Sequence, residues 1–500
     1  MNRNALQKRW SQLPEAAVRR LQAEQLRHYL RTVVLPFSAH YHEMFRAQGL
    51  TADSFRTLDD LQRVPFTTKA DLLSTAESPQ RFKDFILVPD QKVLARRPGT
   101  IWRALRHGRQ SVKAEFESEF RPVFMTATTG RSAEPTPLFY TQRDLAHLAT
   151  AGRRLVEVCA ARREDRVLNT FPFAPHLAFW LAHYAGTAGG ILTLSSGGGK
   201  VMGTDGTIRH LRKFKPDVLI GIPTFVYHLL HQAAADGVRC ENLRCIVLGG
   251  EKVSDGLRCK LRDLATELGA PNVAVLATYG FTEAKLAWVE CPFPHDQPSG
   301  GYHLHPDLGI MEVIDPKTGA SLPPGQPGEL VFTPLDARGS VVLRYRTGDF
   351  IDGGLTYEPC PHCGRSLPRL VGNISRGSEV KAMNLDKIKG TLVDFNELEH
   401  VLDDAPHIGA WQVELRKVHD DPLELDEIIL HVQKLNGVDE TQLSRELSAR
   451  CLTHLEIQPN RIQFHDADNI RRLQGVGVLL KEQKLVDHRP PASPVAALTT

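Results

Sequence analysis

The sequence predicts an α/β fold with a large N-terminal domain and a small α+β C-terminal domain. Strand-like apolar runs alternate with helical stretches through residues 120–290, which is the pattern of a mostly parallel sheet covered by helices. The chain has 500 residues, too many for one compact core. Its character changes near Gly372, after which a helix at 397–402 and a strand at 427–432 are predicted.

These observations define the predicted domains. The large domain covers residues 1–373, with a helical N-terminal region at about 1–75, including 26–41 and 64–72, and an insertion at about 75–120. The basic stretch 96–109 in that insertion is expected to be solvated. A hinge near 372–377 leads to the small domain at 374–489, and residues 490–500 are expected to form a disordered tail.

Composition and charge exclude several classes of protein. The 61 basic and 58 acidic residues leave a net charge of +3, which gives no electrostatic argument for a nucleic-acid partner. The first residues lack an apolar segment of signal-peptide length, so a cytoplasmic location is expected.

Residues 177–194 are apolar enough to suggest a membrane span, but His183 and the Gly189-Gly190 pair favour a buried helix followed by a short strand. No membrane anchor is therefore predicted.

The first polar loop, at 126–130, is a candidate phosphate site. It follows the apolar segment 122–125, predicted as a buried strand, and precedes a capping box at Thr141 that opens a helix at 145–159. The loop is therefore expected to join a strand to a helix. It is not a Walker A sequence, and the alternative is a Ser/Thr-rich surface turn. Its hydroxyls and its flexible glycine suit an anion: Thr126, Thr128, Thr129 and Gly130.

The second loop, Tyr-Gly-Phe-Thr-Glu at 279–283, follows the strand-like run 273–277. It therefore lies at the carboxyl end of a strand, where open α/β sheets bind their ligands. Glu283 offers a carboxylate, the kind of ligand that Mg²⁺ takes together with phosphate oxygens. The alternative is that Glu283 caps the next helix.

The third loop, Tyr-Arg-Thr-Gly-Asp at 345–349, follows two strand-like segments at 328–332 and 341–345. Asp349 is expected to be an exposed carboxylate at a strand end. Its two oxygens can accept hydrogen bonds from two hydroxyl groups at once. Arg346 is expected to have a structural role.

Together and in this order, the three loops resemble those of adenylate-forming enzymes, in the phenylacetate-coenzyme A ligase-like branch. The resemblance covers most of the chain outside 75–120 and the tail, and it implies a large adenylation domain that binds ATP and Mg²⁺. By resemblance, Tyr279 lies along the adenine, Thr282 contacts the α-phosphate, Glu283 holds Mg²⁺ and Asp349 binds the ribose hydroxyls. The remaining positions implied for the nucleotide are Gly250, Glu251 and Gly280.

The resemblance also implies a mobile small domain that carries a catalytic lysine. Alignment of Leu-Val-Asp at 485–487 with the family's terminal segment puts Lys481 at that position, with Lys484 as the competing candidate. A lysine suits the role because its compact positive charge can stabilise charge developing on phosphate. A plain solvated lysine is the alternative for either residue.

The acyl pocket is predicted from segments 171–180 and 221–225, whose aromatic content suits an aryl or other apolar acid. Phe173, His176 and Thr224 are the candidate substrate contacts. The alternatives are ordinary core aromatics and a buried structural histidine. The first loop departs from the family pattern at Arg131 and Thr136, so phenylacetate itself is not assumed.

A second signal comes from the eight cysteines. Without a secretion signal they do not predict a disulfide framework, but Cys360-Pro-His-Cys363-Gly is the usual half of a tetrahedral zinc site. Cys291 and His303 are the expected other half, which predicts a structural ion with four protein ligands. The alternatives are a reduced, metal-free pair, or a fourth ligand among His295, His305 and His362.

The predicted function is ATP-dependent activation of a small carboxylic acid to an acyl-adenylate, followed by transfer to coenzyme A. The expected cofactors are ATP, Mg²⁺, coenzyme A and a structural Zn²⁺, in a monomer or homodimer. One alternative acceptor is a carrier-protein thiol or a cofactor hydroxyl. Another alternative is a nucleotide-binding homologue without turnover.

Overall fold

The computed structural model describes residues 10–74, 78–128, 135–376, 395–420, 426–435, 437–455, 457–479 and 482–489. Thr129, Gly130, Lys481, the last residue of the predicted hinge (Gly377) and the predicted tail lie outside the described residues. The described strands form sheets of two, four, nine and four strands. They build a large α/β unit up to Arg376 and a small α+β unit from Phe395 onward.

The N-terminal region is mainly helical, as predicted for 26–41. Residues 64–72 differ from the prediction, because Val64 precedes a proline and is held extended, with φ −80° and ψ 128°. Thr67 then forms an isolated parallel bridge with Tyr345, and only a short helix follows. The helices are α1 (Glu15–Tyr29), α2 (Leu35–Phe37), α3 (Ala39–Ala47), α4 (Lys69–Leu72), α5 (Gln91–Arg96), α6 (Pro98–His107) and α7 (Arg109–Phe120).

The segment around the first loop differs from the prediction of a buried strand that leads into a helix. Strands β1 (Phe124–Ala127) and β2 (Pro137–Tyr140) form a separate antiparallel hairpin. Met125 is 48% exposed, since only one face of a two-stranded ribbon can be covered. The loop therefore joins two strands, and the predicted capping box at Thr141 opens helix α8 (Gln142–Val158) after the hairpin.

The nine-stranded sheet has the predicted parallel centre. The strands are β3 (Arg166–Asn169), β4 (Leu192–Ser195), β5 (Val218–Gly221), β6 (Cys245–Leu248), β7 (Ala274–Phe281), β8 (Leu286–Val289), β9 (Tyr302–His303), β13 (Leu355–Thr356) and β14 (Arg369–Leu370). Their order in the sheet is β13-β14-β9-β8-β7-β6-β5-β3-β4. Strands β3 to β7 are parallel, and β8, β9, β13 and β14 add antiparallel strands at one side.

Helices cover both faces of this sheet. Side chains of α8 and of α9 (Leu177–Gly189) share one apolar core with Val218 and Cys245. Helices α10 (Gly199–Phe214), α11 (Pro223–Ala235) and α12 (Asp255–Glu267) share another with Leu219 and Ile246, the next residue along each strand. Consecutive strand residues thus face opposite layers, as buried parallel strands require.

The apolar window 177–194 forms helix α9 and strand β4, as predicted. Gly190 ends the helix with φ +67°, a left-handed conformation that favours glycine. Within the described residues, none of the helices combines the length and the apolar character needed to cross a bilayer.

The four-stranded sheet of the large unit is antiparallel and carries the third loop. The sequence predicted a strand at 341–345, but β12 begins only at Tyr345, because Arg344 has φ +44° and breaks the extended chain. The buried Arg344 guanidinium pairs with Glu312 at 3.1 Å. The strands are β10 (Gly309–Ile314), β11 (Gly328–Pro334), β12 (Tyr345–Ile351) and β15 (Ile374–Arg376).

The small unit contains the predicted helix at 397–402 and strand at 427–432. Its sheet has the order β18-β17-β16-β19, with helices packed on it. The elements are α13 (Phe395–Asp403), β16 (Ile408–Lys417), β17 (Asp426–Lys434), α14 (Glu440–Leu455), β18 (Arg461–His465), α15 (Ala467–Leu473) and β19 (Leu485–Asp487).

Polar contacts hold the small unit against α11 and α12 of the large one. The Ser254 hydroxyl donates to Asp403 Oδ2 at 2.5 Å, and Lys260 Nζ donates to the Gly409 carbonyl at 3.1 Å. His228 Nε2 lies 2.6 Å from Gln474 Oε1. Because these contacts depend on charge and hydrogen bonding, we expect them to respond to pH.

Acidification is expected to weaken this contact through His228. Burial lowers the pKa of His228 to about 4; the Gln474 hydrogen bond opposes the shift, while His231 and Arg471 add to it. The unfolded chain therefore takes up the proton first, and stability is lost as the pH falls below 6.5. Between pH 7 and pH 5 the loss from this group is about 2 kcal/mol. Urea unfolding at both pH values should show a smaller loss in His228→Gln, and an equal loss would contradict the assignment.

Candidate functional site

The second and third loops meet at the carboxyl end of β7. The Tyr279 hydroxyl donates to Asp349 Oδ2 at 2.8 Å, and the Tyr345 hydroxyl donates to Glu283 Oε1 at 2.7 Å. Each contact joins the end of the nine-stranded sheet to β12 of the four-stranded sheet. Two carboxylates therefore lie where two sheets converge, a common position for ligand sites in α/β proteins.

Asp349 lies in a different environment from the one predicted. It was expected to be exposed at a strand end, but it lies within β12 and is only 5% exposed. Tyr279 covers one carboxylate oxygen, and Arg376 Nε of the paired strand β15 donates to the other at 3.0 Å. Arg346 has the expected structural role, since its Nε donates to Glu329 at 3.0 Å.

Glu283 lies in a short 3₁₀ turn, Thr282–Ala284, between β7 and β8. The alternative that it caps the next helix is wrong, because the next element is a strand. Lys285 ends the turn with φ +59°, and its buried ammonium lies 3.3 Å from Asp144. Glu283 itself remains half-buried, so one side of its carboxylate can reach a ligand.

The described part of the first loop is held by its own hairpin. The buried Thr126 hydroxyl donates to the Tyr140 hydroxyl at 3.1 Å, and Thr128 Oγ1 accepts from the Thr136 N–H at 3.0 Å. These two hydroxyls stabilise the base of the loop. The loop is connected to the second one through Lys285, whose Nζ lies 4.9 Å from the centre of the Tyr140 ring.

The predicted adenine side combines an aromatic cluster with a tight strand contact. The Tyr279 ring packs against Trp288 and Tyr302, with centroid distances of 5.7 and 6.1 Å. Burial and the adjacent Asp349 carboxylate raise the pKa of Tyr279 well above its usual value, so the hydroxyl stays protonated and remains a donor. At Gly280, a Cβ would lie 2.5 Å from the Cβ of Ala287, so only glycine fits between β7 and β8.

Glu251 and Thr224 were predicted to serve different ligands, but the structure brings them together. Glu251 Oε2 accepts from the Thr224 hydroxyl at 2.8 Å and from its N–H at 3.2 Å, at the start of α11. The preceding Gly250 has φ +88°, which a residue with a side chain adopts only with strain. This contact links the loop after β6 to the loop after β5.

The three predicted acyl contacts do not share one cavity. Phe173 is 50% exposed and packs edge-on against Phe179, and His176 Nδ1 lies 3.2 Å from the Ala127 carbonyl. Thr224 lines a crevice between the two units. A second crevice, apart from this one, is lined by Thr170, Pro172, Gly198, Gly199, Ile222, Phe225, Gly477, Leu479 and Glu482.

Of the two candidate lysines, Lys484 is described, and it is engaged in ion pairs. Its Nζ lies 2.8 Å from Glu399 Oε1 and 3.5 Å from Asp403 Oδ1. Burial opposes the charge on Lys484, but the two carboxylates outweigh burial and raise its pKa. Lys481 lies outside the described residues, while Leu479 and Glu482 line the second crevice.

The four predicted metal ligands converge at one place. The ligand atoms of Cys291, His303, Cys360 and Cys363 all lie within 4.8 Å of one another. Of the alternative ligands, His305 packs edge-on against Trp10, His362 Nε2 lies near the Pro298 carbonyl, and His295 is exposed. None of these three belongs to the cluster found among the described residues.

Some residues of the site were missed by sequence reasoning. Lys285 follows the second loop and Tyr345 opens the third, so their position beside the motifs was a usable signal. Asp144 and Arg376 reach the site from distant segments, and no local pattern indicates such contacts.

Comparison with known proteins adds independent findings. Residues 53–334 match the family model of the AMP-binding enzymes. The chain is 27% identical over 490 residues to the phenylacetate-coenzyme A ligase of Thermus thermophilus, covering 96% of this chain and 95% of that protein. It is 25% identical to the phenylacetate-coenzyme A ligase of Pseudomonas putida, covering 94% and 95% of the two chains.

A solved structure has the same fold. The postadenylation state of 2-hydroxyisobutyryl-CoA ligase superposes with a TM-score of 0.74 at 19% identity, covering 96% of this chain and 91% of that one. The two-domain α/β fold expected from the sequence is thereby confirmed.

Proposed function

Because the chain belongs to the AMP-binding enzyme family, we propose that it joins a carboxylic acid to coenzyme A at the expense of ATP. In the first step, a carboxylate oxygen attacks the α-phosphorus of ATP, which forms an acyl-adenylate and releases pyrophosphate. In the second step, the thiol of coenzyme A loses its proton and attacks the acyl carbon, which forms a thioester and releases AMP. Near full-length similarity to two phenylacetate-coenzyme A ligases supports this choice of reaction.

The single observation that carries the proposal is the pair of hydroxyl–carboxylate contacts between the second and third loops. Tyr279 with Asp349, and Tyr345 with Glu283, place two acidic groups at one sheet edge with different surroundings. Asp349 is buried beside an aromatic cluster, while Glu283 is half-buried. A nucleotide needs such a pair, since ribose hydroxyls require an acceptor and phosphates require a cation.

We assign the nucleotide contacts accordingly. Asp349 accepts from the ribose hydroxyls, Tyr279 lies along the adenine, and Thr282 contacts the α-phosphate. The ribose hydroxyls would share the two oxygens of Asp349 with Tyr279 and Arg376, because each oxygen has more than one lone pair. The remaining proposed contacts are Thr126, Thr128, Thr129 and Gly130 at the phosphates and Gly250, Glu251 and Gly280 on the adenine side.

Mg²⁺ is assigned to Glu283. The Tyr345 hydroxyl uses one oxygen of this carboxylate and fixes its orientation, which leaves acceptor capacity for a hard cation. When bound, Mg²⁺ would neutralise charge on the phosphates during attack at the α-phosphorus. Burial and the Glu283 carboxylate raise the pKa of Tyr345, so its hydroxyl stays a donor.

Tyr345→Phe is expected to weaken Mg²⁺ use without affecting folding. The variant removes only the hydroxyl that orients Glu283, and loss of one hydrogen bond of about 1 kcal/mol corresponds to roughly a 5-fold higher Mg²⁺ concentration for half-maximal rate. The rate at saturating Mg²⁺ and the melting temperature should stay close to those of the unmodified enzyme. An unchanged Mg²⁺ requirement would refute the positioning role.

The acyl group is proposed to enter the second crevice, where Pro172, Ile222 and Phe225 offer apolar surface. This lining suits an aryl or other apolar acid. Phe173 and His176 come after Pro172 in the chain, and Thr224 precedes Phe225 on α11. We propose these three as contacts that form when the substrate and the small domain are in place.

The small domain is proposed to supply the catalytic lysine. Segment 474–479 packs onto the large domain, where Gly477 lies so near Gly199 that a Cβ on Gly199 would be 2.7 Å from the Cα of Gly477. Lys481 follows this contact, which supports its assignment over Lys484. We propose domain limits of 1–373 and 374–489, with a hinge near 372–377 that lets the small domain rotate between the two steps.

Product analysis tests the choice of acceptor. The enzyme is incubated with ATP, Mg²⁺ and an aryl acid, with coenzyme A in one reaction and without it in another. Formation of AMP and an acyl thioester only with coenzyme A would support the proposal. Acyl-adenylate that accumulates unchanged in the presence of coenzyme A would favour another acceptor, such as a carrier-protein thiol or a hydroxyl.

The full set of cofactors that we propose is ATP, Mg²⁺, coenzyme A and a zinc ion away from the reacting groups. A cytoplasmic location is proposed, since ATP and coenzyme A are both supplied there. Nucleic acid and a membrane anchor are not part of the proposal. Whether the enzyme is a monomer or a homodimer can be measured by sedimentation.

A further inference from the structure

The cluster of Cys291, His303, Cys360 and Cys363 lies outside the proposed ligase site. Its members come from three segments: the end of β8, strand β9, and the loop between β13 and β14. Cys291, His303 and Cys360 are buried, with exposed fractions of 1%, 0% and 3%. Cys363 is half-buried. Three thiols and an imidazole thus lie together, and the ligase mechanism uses none of them.

We infer that these four residues form a structural zinc site. In a tetrahedral site with Zn–S bonds of about 2.3 Å and Zn–N bonds of about 2.1 Å, ligand atoms lie about 3.5–3.8 Å apart. The Cys291 and Cys360 sulfurs are 3.6 Å apart, and Cys363 Sγ is 3.7 Å from His303 Nε2. These two distances match a zinc coordination sphere, and all four ligand atoms lie within 4.8 Å of one another.

A disulfide, a hard cation and an iron–sulfur cluster each suit these four residues less well than zinc does. A disulfide needs a sulfur–sulfur distance of about 2.05 Å, and the cysteines here are free. Hard cations prefer oxygen ligands, while iron–sulfur clusters take four cysteines or paired histidines. Three thiolates with one imidazole are a standard structural zinc set. A metal-free core would instead pack three thiols and an imidazole together in largely apolar surroundings.

The loop that carries two of the ligands is shaped in advance. The Cys360 N–H donates to the Arg365 carbonyl at 2.9 Å, and the Gly364 N–H donates to the Cys360 carbonyl at 2.9 Å. Gly364 has φ +69°, so the glycine after Cys363 allows the turn to close. The two sulfurs therefore point to one side before any ion binds.

Charge around the cluster also suits a bound ion. Three thiolates and Zn²⁺ carry a net charge of −1, and Arg365 follows Cys363 by two residues in the same loop. The Arg365 guanidinium is itself held by the Glu157 carbonyl at 3.1 Å. A positively charged group is thus fixed beside the site, as expected of the residues that support metal ligands.

The position of the cluster indicates what the ion does. His303 follows Tyr302, whose ring packs on Tyr279 of the proposed adenine pocket. Strand β14 pairs with β9 after the Cys360–Cys363 loop, and the chain then continues through β15 toward the linker to the small unit. Four protein ligands fill the coordination sphere and leave no open position for chemistry. Zinc would therefore fix the edge of the sheet that supports both the adenine pocket and the linker.

The test begins with the zinc content of the unmodified protein, purified without chelators from zinc-supplemented cells. We expect about one zinc ion per chain, and its loss in Cys360→Ser and His303→Ala. Two matched controls should keep it: His362→Ala, within the same loop, and Cys240→Ser, a buried cysteine elsewhere. Absence of zinc from the unmodified protein would overturn the inference, and so would its loss from the controls together with retention in Cys360→Ser.

Two measurements on the unmodified protein avoid dependence on whether the variants fold. A thiol-specific mercurial should release zinc in parallel with the modification of three cysteines, with a fall in melting temperature. Cobalt exchanged into the site should give the sulfur-to-cobalt charge-transfer absorption of thiolate coordination in a tetrahedral field. A zinc-free protein with three reduced thiols or with a disulfide at Cys291 would contradict the inference. None of these readouts depends on ligase activity, so they can fail independently of the proposed function.

Discussion

Replacement of Glu283 by glutamine is expected to slow acyl-adenylate formation by a factor of about 10² to 10³. The amide keeps the size of the side chain and can still accept the Tyr345 hydrogen bond, but it carries no charge for Mg²⁺. Because Glu283 is half-buried and has no ion pair among the described residues, stability should change little. Carboxylate-dependent pyrophosphate release at saturating ATP, with a melting curve alongside, measures both effects.

The Tyr345→Phe variant is the matched control for this prediction. It should preserve the rate at high Mg²⁺, whereas Glu283→Gln should remain slow at any Mg²⁺ concentration. If Glu283→Gln kept more than half of the normal rate, the metal ligand would have to be sought elsewhere.

Replacement of Lys481 by alanine is expected to reduce adenylation by about 10³-fold with little effect on folding. The lysine charge would be lost from the position where it opposes charge developing on the α-phosphate. Thioester formation from a supplied acyl-adenylate should be much less affected, because that step does not form the same charge. Comparison of the two half-reactions in one variant separates a catalytic role from a general loss of structure.

Lys484→Met provides the contrasting variant. Removal of this ammonium leaves Glu399 and Asp403 without their buried partner, so a loss of stability of about 3 kcal/mol is expected. Adenylation per folded molecule should persist. A folded Lys484→Met protein that cannot adenylate, beside a fully active Lys481→Ala protein, would reverse the assignment.

Local sequence patterns predicted those features that depend on neighbouring residues. The capping box at Thr141, the helix and strand within 177–194 and the parallel centre of the large sheet each follow from periodicity or from a cap over a few positions. The grouping of the four candidate metal ligands was also predictable, because the Cys360-x-x-Cys363 spacing implies two further soft ligands. Cys291 and His303 were the best available pair in an adjacent segment.

Features that depend on tertiary packing were not predictable in the same way. Asp349 is buried because β15 and Tyr279 cover it, and the sequence around residue 349 indicates neither contact. The prediction of a strand at 341–345 was wrong because Arg344 has a left-handed backbone conformation, and its buried ion pair with the distant Glu312 could not be read from the neighbouring sequence. The prediction of a buried strand at 122–125 was wrong because β1 pairs with β2 in a separate sheet and is not part of the large sheet.

Carboxylate-dependent exchange of labelled pyrophosphate into ATP would show directly whether the protein forms an acyl-adenylate. The unmodified enzyme is assayed with Mg²⁺ and a panel of aryl, fatty and amino acids, without coenzyme A, so that only the first step is observed. We expect exchange that requires an acid, with a preference for aryl or compact apolar acids, and its loss in Glu283→Gln. Binding of ATP without exchange for any acid in the panel would contradict the proposed adenylation and favour a nucleotide-binding homologue without turnover.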